Sequence, residues 1–182
     1  MKNRTLFFGL ISGLIVTVVT LIGMASLYDT DREGGVGSMV LGYTTMLVAF
    51  SLIFVSIKTY RDRNGGIISF GKAFRIGLTI SLIASTMYVL GWMVEYYAFL
   101  PDFYDKCEIH QVAKLKAAGA SLTIIHAKAQ EYEQLKQMAQ NPVVHALMTY
   151  LEILPVGLLV SLIAALILKR KPSNARVAVV NL

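Results

Sequence analysis

The chain has 182 residues, of which 55% are hydrophobic and only 15% charged, whereas a soluble domain carries roughly 25% charged residues. With a mean hydropathy of +0.61, this composition excludes a disordered chain and argues against a water-soluble globule of this size. The formal charge of +6, from 17 Lys and Arg against 11 Asp and Glu, raises the question of an acidic partner, and the lone Cys107 excludes an intrachain disulfide framework.

The predicted elements are four membrane spans at about 6–28, 39–57, 74–95 and 146–168, each a long apolar run. The first holds 23 residues without a charge, enough to cross a hydrocarbon core about 30 Å thick at about 1.5 Å per residue. Lys2 and Arg4 ahead of it and Gly23-Met24-Ala25 near its end resemble a signal peptide. A signal core is only about 7–15 residues long, so an uncleaved span is expected. Within this run Gly9-x-x-x-Gly13 permits close helix approach, and Ser12, Thr17 and Thr20 can hydrogen-bond across helices. Packing among the four spans explains these small residues as well as oligomer formation does. The short acidic loop at 29–38 has three glycines, which suit a turn.

After the second span comes Tyr60-Arg61-Asp62-Arg63-Asn64-Gly65-Gly66, followed by Ser69-Phe70-Gly71-Lys72-Ala73-Phe74-Arg75. Asn-Gly-Gly supplies the positive backbone torsions of a tight reversal. Arg61, Arg63, Lys72 and Arg75 form a candidate surface for anionic lipid or an acidic partner, with Tyr60, Phe70 and Phe74 at headgroup level. The plainer reading is a loop whose cations only set topology. The glycines match neither a dinucleotide fingerprint nor a phosphate-binding P-loop.

Residues 96–145, between the third and fourth spans, are too polar for the membrane interior. A helix can start at Pro101-Asp102, with Asp102, Asp105 and Glu108 near its positive end. Gly119 breaks that run, and Ser121 caps a second helix that stops before Asn141-Pro142. Leu122, Ile125, Ala129, Tyr132, Leu135 and Ala139 share one broad face of it. The expectation is an external helical hairpin resting on itself or on the membrane surface. Cys107 and His110 are spaced to share a helix face, but zinc sites normally draw on three or four ligands. No metal and no cofactor are expected.

The fourth span contains Glu152 and Pro155, and a polar tail follows at 169–182. An acid inside a span is expensive and marks a functional site by default. Pro155 removes a helix hydrogen bond and can free a carbonyl for a polar partner. Together they can form a proton or cation site. The plainer reading is a carboxylate near a helix end that reaches the interface or pairs with a neighbouring span. No Gly-x-Ser-x-Gly elbow or His-Glu-x-x-His pair is present, so an enzyme is not expected and no catalytic residue is assigned.

The charges also set an orientation. The N-terminus, the segment between spans two and three and the C-terminus together hold eleven cations against one acid, Asp62. The opposite side holds six cations against nine acids. The positive-inside rule then places both termini and the Asn64-Gly65-Gly66 reversal in the cytoplasm. Because the cations are split among separate membrane-flanking segments, they do not form a nucleic-acid-binding face.

The stretch Tyr60-Arg61-Asp62-x-Asn64-Gly65-Gly66-x-Ile68-Ser69-Phe70-Gly71-Lys72-Ala73-Phe74, with Asn141-Pro142 and Thr149-x-x-Glu152-x-x-Pro155-Val156-Gly157-Leu158, resembles the bacterial membrane family called domain of unknown function 4199. The similarity runs over nearly the whole chain, including Lys116-Ala117-x-Gly119-Ala120-Ser121 in the outer loop. The resemblance implies an integral-membrane location and brings no activity with it. The chain departs from the family pattern at Leu122-Thr123-Ile124, where acidic residues are expected, and at Ala139, where an aromatic is expected.

The expected fold is therefore all-α. A single integral-membrane domain, 1–182, forms a four-span bundle with an extracytoplasmic helical hairpin between spans three and four. The expected role is a non-enzymatic interaction or assembly factor of the bacterial inner membrane, in contact with the lipid bilayer and with a protein partner or a second copy. The alternative is a small transporter or channel subunit that uses Glu152 and the Pro155 kink.

Overall fold

The computed structural model describes residues 2–29 and 36–170. The chain forms six helices: α1 (Lys2–Asp29), α2 (Val36–Arg63), α3 (Phe70–Ala98), α4 (Phe103–Ala117), α5 (Leu122–Ala139) and α6 (Pro142–Leu168). The heart of the expected acidic loop, at 30–35, and most of the polar tail, at 171–182, lie outside the described residues. Four helices, α1, α2, α3 and α6, are long and apolar enough to cross a membrane by length and composition. They also carry rows of large aliphatic side chains on their outer faces, among them Leu10 and Leu14 on α1 and Leu151, Leu159 and Ile163 on α6. Exposed apolar surface of that extent belongs against lipid.

α3 is the central helix. Half of its apolar stretch is buried, against 22% for α1, because α1 and α6 both pack along it. Small residues make this possible. On α3, Gly77 faces Ser161 of α6, and on α6, Gly157 faces Ser81 of α3, while the two serine hydroxyls meet at 3.1 Å. A Cβ built on Gly77 would sit 2.7 Å from the Ser161 Cβ and Oγ, so the seam accepts no side chain there. Gly9 and Gly13 of α1 are likewise pressed against Ile83, Ala84 and Met87 of α3, so in this structure the Gly-x-x-x-Gly pair serves packing within the chain. Ser12 ties α1 to α2 by donating to the Ala49 carbonyl at 3.0 Å.

The helices reach past the charge-free runs from which the spans were expected. Arg61 and Arg63 lie in the last turn of α2. Lys72 and Arg75 lie in the first turns of α3, whose start is capped by the Ser69 hydroxyl accepting the Lys72 N–H. The connection is thereby reduced to residues 64–69, and its reversal uses Gly65 and Gly66 at φ 67° and 79°. An isolated antiparallel bridge joins Ile68 to Arg170 through two backbone hydrogen bonds of 3.1 and 2.9 Å. It draws the start of α3 and the end of α6 together, so Arg61, Arg63, Lys72, Arg75, Lys169 and Arg170 gather at one end of the bundle, here called the basic end.

At the opposite end, α4 and α5 lie against each other. Asp102 precedes α4, Ser121 caps α5 by accepting from Ile124 N–H, and Asn141 caps α6 by accepting from Val143 and Val144 N–H ahead of Pro142. Lys136 near the end of α5 reaches Asp105 near the start of α4 at 2.6 Å. On the face of α5 grouped in the sequence, Ile125 and Ala139 are buried whereas Leu122 is 73% exposed.

Candidate functional site

The densest polar arrangement lies where α3 ends and α6 begins. His145, only 1% exposed, sits among four aromatic rings, with the Tyr96 ring centroid 4.5 Å away and those of Tyr97, Tyr104 and Trp92 at 5.8, 6.1 and 6.3 Å. Trp92 Nε1–H donates to His145 Nε2 at 3.1 Å. Indole nitrogen is a donor only, so the imidazole accepts at Nε2 and a neutral ring carries its proton on Nδ1. That Nδ1 is buried without a partner in the structure. Tyr104 Oη stands 3.4 Å from the same Nε2, and Tyr97 Oη donates to the Ala139 carbonyl at 2.6 Å. Rings from α3 and a phenol from α4 thus converge on one residue of α6, while Tyr97 in the same cluster holds a carbonyl of α5. This aromatic knot fastens α4 and α5 to the bundle. Ala139, where the family pattern suggests an aromatic, is fully buried beside Trp92, Tyr96 and Leu100.

Glu95 belongs to the same end. It lies one residue before Tyr96, is 7% exposed, and its Oε2 is buried with no hydrogen-bond partner. By sequence the third span ends at Glu95 and the polar outer loop at His145; the structure buries both inside helices. A periodic signal for Glu95 existed, since it follows Tyr88 and Trp92 at seven and three residues and so shares their buried face.

Glu152 follows His145 by two turns on α6, and its side chain is exposed on the surface of the bundle. It lies within electrostatic reach of Tyr88 and of Tyr104, and Glu95 is also within reach of Tyr88. Pro155 stands inside α6, which runs unbroken from Pro142 to Leu168; lacking an N–H, it leaves the Leu151 carbonyl without its helical donor. A crevice beside these groups, lined by Thr17, Thr20, Leu21, Tyr88 and Trp92, has no room for a water molecule.

The basic end is built differently. Arg61 binds Asp62 Oδ1 through Nε and Nη2 at 3.1 and 3.0 Å. Lys72 Nζ lies 5.8 Å over the Tyr60 ring. Arg75 is exposed at the surface. Arg63 lines a cavity of about 190 Å³, with Arg4, Thr5 and Phe8 of α1, Ser56, Thr59 and Tyr60 of α2, and Asn64 and Ile76. The four cations singled out in the sequence thus share one end but not one site.

With this geometry in view, residues 7–170 match the family described as "Protein of unknown function (DUF4199)". The chain belongs to that family. No curated protein and no solved structure matches it. The DUF4199 match runs through all six helices and so takes in the aromatic knot and most of the basic end, while Arg4 and Thr5 precede it. The contribution of α1 to the cavity was invisible in the motif around residues 60–75, because Arg4 and Arg63 meet only when the first two helices pack.

Outside the long apolar helices, burial shifts Tyr104 and Cys107, and a hydrogen-bonded ion pair shifts Lys136. Burial, together with the nearby Tyr96, pushes the Tyr104 phenol up to about 12. Burial also raises the Cys107 thiol. The Lys136 ammonium is raised chiefly by its hydrogen bond to Asp105. Among the described residues no three His, Cys, Asp or Glu side chains come together as a metal site.

Proposed function

We propose that this DUF4199 protein spans a bacterial inner membrane with its basic end in the cytoplasm, and serves there as a non-enzymatic interaction or assembly factor. The orientation rests on eleven cations against one acid at the terminal end and on the positive-inside rule. The role rests on the aromatic knot. By fastening α4 and α5 to α3 and α6 through His145 and Tyr97, it turns the external helical hairpin into a rigid platform. That platform shows Ile109, Leu122 and Ile124 to the outside, at 66%, 73% and 53% exposure. Preorganised surface of that kind lowers the ordering cost of binding. Chemical crosslinking in native membranes, followed by purification of the full chain, tests the reading. A stoichiometric protein partner or second copy should crosslink through α4 and α5, and be lost when Leu122 and Ile124 are both changed to Ser. Recovery of the uncrosslinked chain alone would count decisively against it.

One observation favours a second reading, a small transporter or channel subunit. Glu95 is buried with an unpartnered oxygen near Tyr88, which Glu152 also approaches, and unpaired acids at membrane depth mark ion or proton paths. The closed crevice beside Tyr88 and Trp92 argues against a solute route. Flux in reconstituted vesicles that disappears in Glu152→Ala and in Glu95→Gln would place this reading first.

A further inference from the structure

The cavity at the basic end has the chemistry of an anion receptor. Its volume of about 190 Å³ is far above the roughly 10–15 Å³ that a single water needs, room for a phosphate group with a small substituent. Two guanidinium groups, Arg4 and Arg63, line it, and among the described residues no carboxylate does. The nearest acid in sequence, Asp62, is already engaged by Arg61. α1 begins at Lys2, so its first-turn amides, which have no helical acceptor, face this same end, an arrangement suited to anions.

The hydroxyls carry the argument further. Four hydroxyls elsewhere in these helices donate one turn back, Thr79 to Arg75, Thr86 to Leu82, Thr149 to His145 and Ser161 to Gly157, while Thr17 and Ser85 are buried without a partner. Thr5, Ser56 and Thr59 line the cavity and, among the described residues, make no such bond. Three donors without a backbone acceptor, lining the same space as two arginines, fit a ligand rich in acceptor oxygens.

We propose that this cavity binds a phosphate ester, its oxygens held by Arg4 and Arg63 and by the hydroxyls of Thr5, Ser56 and Thr59. The ester is either the headgroup of an anionic phospholipid or a soluble phosphate ester. The proposal rests on reading this end as a headgroup-level interaction surface, and it replaces a diffuse cationic loop with one site.

The test is a binding titration on the purified full chain in neutral detergent, read by thermal unfolding and by native mass spectrometry. The probes are phosphatidylglycerol in mixed micelles and glycerol 3-phosphate in solution. One saturable equivalent per chain should bind and raise the unfolding temperature. Binding of the lipid alone identifies a headgroup; displacement of the lipid by glycerol 3-phosphate identifies a soluble ester. Arg4→Gln with Arg63→Gln should weaken binding roughly a hundredfold, about tenfold for each charge-assisted pair. Lys72→Gln with Arg75→Gln, outside the cavity, should stay within about threefold, as rim charges do. Should the arginine variant fail to fold, Thr5→Val with Thr59→Val keeps the charge and shape and should still lose roughly tenfold. The proposal falls if neither probe saturates, or if the Lys72/Arg75 variant loses as much as the Arg4/Arg63 variant. Phosphate binding can hold while no protein partner crosslinks to α4 and α5, and the reverse, so the two readings fail separately.

Discussion

The two ends of the bundle solve the same problem in opposite ways. Each must bring polar side chains to the edge of an apolar body. At the α4–α5 end, Trp92, Tyr96, Tyr97 and Tyr104 close around His145, and the adjoining crevice excludes even water. At the basic end, Arg63, Arg4 and three hydroxyls stand around open space. The first end spends its polar groups on holding helices together; the second holds them in reserve. The Trp92–His145 and Tyr97–Ala139 hydrogen bonds hold helices in place although His145 Nδ1 and Glu95 Oε2 stay without partners, whereas a lined cavity with unused donors is fitted to receive something. The contrast teaches where a ligand and where a scaffold should be sought in this molecule.

Four measurements break or sharpen that contrast. The largest effect is expected from His145→Ala, which empties a packed aromatic site and strands the Trp92 N–H; about 3 kcal/mol of stability should be lost. Thermal unfolding in detergent checks it, and an unchanged midpoint would show that the knot is not structural. Gly77→Ala comes next, since its Cβ meets Ser161 at 2.7 Å. Overpacking of this kind costs about 1–3 kcal/mol, and because α3 and α6 connect both ends, phosphate-ester binding and α4–α5 crosslinking should weaken together. Loss at one end alone would show that the two ends are mechanically separate. Tyr97→Phe removes only the donor to the Ala139 carbonyl. It should cost about 0.6 kcal/mol and raise protease sensitivity between residues 118 and 121 without touching the basic end.

The smallest effect is a pH profile. Burial raises the Cys107 thiol, so at any given pH it holds less thiolate than a free cysteine, whose pKa is about 8.5. Maleimide labelling of Cys107 should therefore lag a small-thiol control at pH 8 and still be accelerating where the control has levelled off. Labelling as fast as the control would mean that α4 and α5 part readily, and the contrast between a closed and an open end would be weakened.

How much of this was legible in the sequence follows from how far each feature reaches along the chain. The four long helices were readable from runs without charge, because desolvating a charged residue costs more than any local preference returns. The reversal at Gly65 and Gly66 and the Ser121 cap were readable too, since both depend on residues within three positions. The burial of Glu95 was missed because a charge at the end of an apolar run reads as a boundary, while its burial comes from the face it shares with Tyr88 and Trp92. His145 was opaque for a different reason: its Trp92 donor is 53 residues away, and nothing local to Asn141-Pro142 announces that contact. The cavity was half visible. Arg63 stood out in a cationic motif, but Arg4 looked like part of a flank, and Thr5, Ser56 and Thr59 looked like ordinary residues of apolar helices.

The contact between α3 and α6 has a further consequence. Gly77 meets Ser161 and Gly157 meets Ser81, so the two helices, running in opposite directions, are related by a local twofold axis through the paired hydroxyls. A palindromic interface of this kind specifies complementary volumes rather than particular residues. Moving the larger member of a pair across the axis, with Gly77→Ser and Ser161→Gly together, conserves the volume of the contact, which either change alone does not, and leaves the lost Ser81–Ser161 hydroxyl pair as the remaining cost.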